Sequence, residues 1–134
     1  MRDIWLLAII ALIFSVGICT AEVPNLIGNW SGSGIGYYKG AFEKEENGSV
    51  SLNITEQNDR VFMGNVTFKQ ENGTIKGEGF AGAIGMDDKS LYMAEFSEGY
   101  DFGTIISDDE IELLYLQDGK SAQAFIERYH RTKS

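Results

Sequence analysis

The sequence predicts an all-β fold: eight antiparallel strands in an up-and-down meander that closes into a barrel. Three observations carry this. Seven turn signals recur at short intervals between residues 47 and 119. The segments between them alternate in hydrophobicity with a period of two, and none shows helical periodicity. The single proline, Pro24, precedes the first strand, so no ladder donor is lost to proline. Eight strands in an open sheet would leave two unpaired edges. Closure removes both and leaves an interior wide enough for side chains or one small ligand.

The elements follow in order. The first strand runs over about 28–39, and an acidic turn containing Asn47-Gly48 precedes the second, about 49–57. Asn58-Asp59 make a tight hairpin into the third, about 60–69. Asn72-Gly73 is the most specific turn signal, because Asn-Gly suits the two φ > 0 positions of a type I′ hairpin. The fourth strand covers about 74–84, with Gly85-Met86-Asp87-Asp88 turning it, and the fifth about 90–97. Glu98-Gly99 lead into the sixth, about 100–106; Asp108-Asp109 into the seventh, about 110–117; Asp118-Gly119 into the eighth, about 121–131. Alternation puts Val50, Leu52 and Ile54 on one face, Phe62, Val66 and Phe68 on another, and Ile111, Leu113 and Tyr115 on a third. Strands 4, 6 and 8 are apolar on both faces and have no clear inner side. Gly32, Gly34 and Gly36 share the parity of Trp30. Repeated glycine either lets strands bend in a small barrel or leaves interior room for a ligand.

Residues 4–21 are apolar apart from Ser15 and Thr20, and end in Cys19-Thr20-Ala21, with small residues at the −3 and −1 positions of a cut after Ala21. This reads as a secretory signal peptide over residues 1–21, ahead of a single barrel domain at 22–134. The competing reading is an uncleaved anchor, since a stretch of this length is just enough to span a bilayer core. A lipidated Cys19 is disfavoured by bulky Ile18. The one cysteine lies in this segment, so the remainder has no disulfide. Five of seven asparagines stand in Asn-X-Ser/Thr sequons: Asn29, Asn47, Asn53, Asn65 and Asn72. Together these suggest a secreted or cell-surface protein with glycosylation at some of those sites.

The net charge of −9 argues against nucleic acid as a partner. Acidic residues cluster in turns, where they keep the surface soluble. No segment matches an EF-hand loop, and His130 is the only histidine, so neither a metal nor any cofactor is implied. Gly77-Glu78-Gly79-Phe80-Ala81-Gly82 spells a dinucleotide-binding pattern but lies within a strand, with no helix to hold a pyrophosphate. No nucleophile elbow appears. Glu95 and Glu112 fall within strands and are expected on a solvated outer face rather than as a catalytic pair. An enzyme is therefore not expected.

Gly28-Asn29-Trp30-Ser31-Gly32 resembles the Gly-X-Trp opening of the calycin superfamily, which includes lipocalins, fatty-acid-binding proteins and the avidin group. In calycins a last-strand Arg or Lys packs across this Trp at the closed end of the barrel. Arg128 is the best match here, with Arg131 as the alternative. The resemblance implies a structural closure by Trp30 and Arg128, and a barrel that holds a small apolar or amphipathic ligand. The chain departs from each member in turn. It lacks a lipocalin's trailing helix and a fatty-acid-binding protein's helical lid. Past the leader it keeps only Trp30, so a biotin site is not supported. If the interior is open, Phe62, Tyr92, Phe96, Phe102, Tyr115 and Phe125 are the rings expected to line it. The partner is then a small apolar molecule. The alternative is a filled barrel acting as a surface module toward another protein, with a membrane involved only through residues 4–21.

Overall fold

Lys39 and Gly40 join the first two strands, β1 (Gly28–Tyr38) and β2 (Ala41–Asn58), with left-handed φ values of 48° and 85°. Two such residues in succession make the tight hairpin whose twist matches the strands. The computed structural model describes residues 22–70 and 72–133. The predicted leader and Cys19 lie outside them. The meander continues through β3 (Val61–Lys69), β4 (Ile75–Ile84), β5 (Ser90–Glu95), β6 (Tyr100–Ser107), β7 (Glu110–Gln117) and β8 (Gln123–Arg131). A single 3₁₀ turn, Gly119–Ser121, precedes β8. Every neighbour pair is antiparallel, and β8 pairs with β1 from Trp30↔Arg131 to Tyr38↔Gln123, which closes the barrel.

Eight strands and their order agree with the sequence reading, but the second element was misplaced. Asn47-Gly48 does not turn the chain. β2 runs on for 18 residues, and its register against β1 jumps from Gly32↔Val50 to Gly34↔Glu45. The turn-forming residues serve a bulge, with Gly48 at φ 84°. Asn72-Gly73 also differs from expectation. Gly73 is left-handed, at φ 81°, and its N–H bonds the Gln70 carbonyl at 2.8 Å, so the turn closes one residue earlier than a hairpin centred on Asn72-Gly73 would.

The interior divides into two halves along the axis. One half is filled. Trp30, Leu52, Ile54, Phe80, Leu91, Ile111, Leu113 and Tyr129 are essentially excluded from solvent, and each apolar side chain so buried contributes roughly 1.5–3 kcal/mol. This half is closed by residues 22–27 and by the β2–β3, β4–β5 and β6–β7 turns. Trp30 Nε1 donates to the Leu26 carbonyl at 3.0 Å. The basic partner of Trp30 is Arg131, not Arg128. The Arg131 guanidinium lies 4.2 Å from the indole centroid and donates to the carbonyls of Ile27 (2.6 Å), Asn25 (2.8 Å) and Asp108 (3.0 Å). Strand parity decides between the two. Arg131 shares the inward parity of Phe125, Glu127 and Tyr129, whereas Arg128 points outward and pairs with Glu110 at 2.6 Å and with Glu112.

The outer face carries an apolar belt. Tyr92 opposes Phe102, Phe102 opposes Leu114, Leu114 opposes Ile126, and Ile126 opposes Ile35, all exposed. The five sequon asparagines are also exposed.

Candidate functional site

The other half of the interior is a cavity of about 370 Å³. Its lining reaches the β5–β6 turn and the flanks of the β7–β8 connection, so it opens at the end opposite Trp30 and Arg131. Val50, Leu52, Val66 and Phe68 give it one apolar wall, and Tyr115, Phe125 and Tyr129 add rings from β7 and β8. Six carboxyl groups complete it: Glu45 from β2, Glu78 from β4, Glu95 from β5, Glu98 from the β5–β6 turn, Asp101 from β6 and Glu127 from β8. No Lys, Arg or His contributes to the lining.

Parity explains how acids come to point inward. Asp101 opposes Met93 on one side and Tyr115 on the other, both inward-facing. Glu127 lies between Gly34 and Leu113, and Glu95 opposes Phe80. The first-strand glycines make room for them. A methyl group at Gly32 would sit 2.7 Å from the Tyr129 ring, one at Gly34 2.9 Å from Glu127, and one at Gly36 2.5 Å from the Phe125 ring. The glycine lane thus lets β8 extend its large side chains across the lumen, which settles why glycine recurs there.

The acids hold protons differently. Asp101 is 4% exposed, its Oδ2 has no hydrogen-bond partner, and burial pushes its carboxyl up to about 7. Burial also raises Glu127 to about 8. The Tyr129 hydroxyl, donating at 2.6 Å, partly offsets this, and the nearby charge of Glu45 adds to it. Glu45 is raised as well, mainly by burial, and its Oε2 is unpartnered. Glu95 reaches about 9 through burial, the charge of Asp101 and a hydrogen bond to Glu78. Burial would raise Glu78 too, but bonds from Ser97 and Glu95 outweigh it and hold Glu78 below the usual carboxylate range. The arrangement therefore favours ionised Glu78 accepting a hydrogen bond from the protonated carboxyl of Glu95. At the rim, Gln123 donates to Gln117 Oε1 at 2.6 Å, and Gln117 donates to Glu98 at 2.5 Å. The Tyr115 hydroxyl lies 3.0 Å from the same Gln117 oxygen.

Of the six rings expected to line the interior, the structure brings two to the cavity, Tyr115 and Phe125. Phe62 is buried in the filled half, edge-to-face with Phe80 at 6.2 Å. Tyr92, Phe96 and Phe102 are on the outside, because the opposite parity of β5 and β6 (Leu91, Met93, Glu95; Asp101, Gly103, Ile105) faces inward. Tyr92 and Phe102 stack edge-to-face there, and the Phe96 ring covers Gly79. Glu95 likewise corrects its expected place on a solvated face. Glu112 is outside, as expected, against Arg128. The acids were the missed residues. Their signal was present: Glu95 shares the parity of Leu91 and Met93, and Glu127 that of Phe125 and Tyr129. Among the described residues no His, Cys, Asp or Glu group is disposed to hold a metal ion.

No family model matches the chain, and no curated protein matches it in sequence. Solved structures do match in fold. A redesigned β barrel, b11L5F_LGL, superposes with a TM-score of 0.62 over 81% of this chain and 92% of its own, at 8% identity. The redesigned barrel mFAP0, determined bound to DFHBI, gives 0.56 over 79% and 98%, at 9% identity. A protein of unknown function from Bacteroides ovatus gives 0.55 at 15% identity, over 79% of this chain and 41% of that one. At such identities these likenesses show the eight-stranded barrel and no more.

Proposed function

We propose that this protein is a secreted, non-enzymatic barrel that binds one small amphipathic molecule in its open half. The observation that carries this reading is the cavity itself: about 370 Å³, within the range of small-molecule sites, set over a filled apolar half. Val50, Leu52, Val66 and Phe125 would take an apolar portion, and the carboxyl groups a polar one. The mFAP0 barrel, which holds DFHBI, supports the idea that such a closed meander accommodates a guest. Secretion rests on the leader and the sequons.

Native mass spectrometry of the full chain from its own source tests the reading. The protein is expected to carry one small molecule per chain. A Val66→Phe variant, with a ring filling the cavity, should carry none. Source-purified protein that shows only its own mass would overturn it.

One observation favours a second reading, a module acting through its exterior. The belt of Ile35, Ile126, Leu114, Phe102 and Tyr92 is an exposed apolar surface of the kind that meets another protein. On that reading Leu114→Lys abolishes an assembly detected by sedimentation and leaves the cavity's occupancy unchanged.

A further inference from the structure

We propose that the cavity selects an organic cation: a protonated amine on an apolar stem, its ammonium seated against Asp101 and Glu127. This rests on the small-molecule reading above and specifies the guest. The geometry carries it in three ways. The lining is one-signed, with six carboxyl groups and no basic side chain. Asp101 is 96% buried, being 4% exposed, and turns an unpartnered oxygen toward the space. A buried acceptor without a donor is costly, and an ammonium brings three donors to such oxygens. The apolar wall of Val50, Leu52 and Val66 gives a stem somewhere to lie. An anionic guest would meet like charge, and a bare metal ion would need the acids gathered more closely than they are.

Proton exchange distinguishes a cation from a neutral guest. The titratable groups facing the seat are Glu45 from β2, Glu78 from β4, Glu95 from β5, Glu98 from the β5–β6 turn, Tyr115 from β7, and Tyr129 and Glu127 from β8, around Asp101. β1 contributes no residue to the lining, and β3 contributes the apolar side chains Val66 and Phe68. Near neutrality Asp101 and Glu127 are partly protonated. A cation stabilises their ionised forms, so its binding expels protons and tightens as the pH rises from 5.5 to 8.5.

Three probes with one stem make the test: 2-phenylethylammonium, 2-phenylethanol and phenylacetate, titrated calorimetrically into the full chain at pH 7.5 in two buffers of different ionisation enthalpy. The amine is expected to bind at least tenfold more tightly than the alcohol, with net proton release, and phenylacetate not at all. Asp101→Asn should weaken the amine at least tenfold and the alcohol less than threefold. Glu127→Gln gives a second variant of unchanged size, and circular dichroism checks that both keep the β fold. Alcohol binding as tight as the amine, or amine binding without proton release, overturns the cation and leaves the small-molecule reading standing. No binding by any probe to a chain shown to be empty overturns both.

Discussion

Replacing Asp101 with asparagine should change how stability depends on pH far more than stability itself. The side chain is almost wholly buried, has no partner on Oδ2, and burial pushes its carboxyl up to about 7 in the fold against 3.8 for a solvated aspartate. Between those values the folded chain holds a proton that the unfolded chain has released. Stability is therefore full below about pH 4 and falls as pH rises, by about 1.4 kcal/mol per unit, until the folded group has also ionised. From pH 5 to pH 9 this one group costs about 3 kcal/mol. Glu127 and Glu95 act in the same direction, with upper limits near 8 and 9. Asparagine has nearly the same shape and no proton to lose. At pH 5 the variant should be the more stable by about 1.5 kcal/mol, and at pH 9 by about 4 kcal/mol. Urea unfolding of the full chain at pH 5, 7 and 9, followed by far-ultraviolet circular dichroism, measures both. Parallel pH profiles for parent and variant would refute the burial of an ionisable Asp101. So would a parent that gains stability between pH 5 and pH 9.

Arg131→Ala should cost about 2–4 kcal/mol in thermal or urea unfolding, since it removes a stacked cation and three carbonyl contacts, whereas Arg128→Ala on the surface should cost under about 1 kcal/mol. A Trp30→Ala, Arg131→Ala cycle is expected to be non-additive by at least about 0.5 kcal/mol, and strict additivity would show that the stack contributes nothing. Gly64→Ala should destabilise by about 1–3 kcal/mol, because the new methyl would meet the Asn53 carbonyl oxygen across the ladder; an unaffected melting temperature would mean the strands have room to part. Phe102→Ser, on the outer belt, should leave any affinity in the cavity unchanged, while Phe125→Ser should lower it at least fivefold in the same titration.

Strand number, order and closure were legible because short turns and period-two patterning are local signals. Where the sequence misled, a local signal had been put to another use. Asn47-Gly48 has turn chemistry but stands at a bulge, and the actual hairpin residues, Lys39-Gly40, are unremarkable as a pair. The inner face of β6 was illegible for a physical reason. Tyr100 and Phe102 look like the buried side of Tyr100–Ser107, and only the register against β5 and β7 shows that Asp101, Gly103 and Ile105 hold it. The candidate site was hidden by the same habit of assigning carboxylates to water. Glu95 and Glu127 sit in phase with apolar neighbours, and an acid in that phase is the cue that an interior is not uniformly apolar.

The glycine lane of β1 has an evolutionary consequence. No residue of β1 borders the cavity, so a comparison of guest-contacting positions among descendants of this chain would pass the strand by. Yet the placement of Tyr129, Glu127 and Phe125 depends on the bare backbone at Gly32, Gly34 and Gly36. One added methyl there displaces a wall of the chamber without altering any group that touches its contents. On the ligand-binding reading proposed above, the contents of the chamber can therefore be retuned through these three positions as well as through the acids that line it.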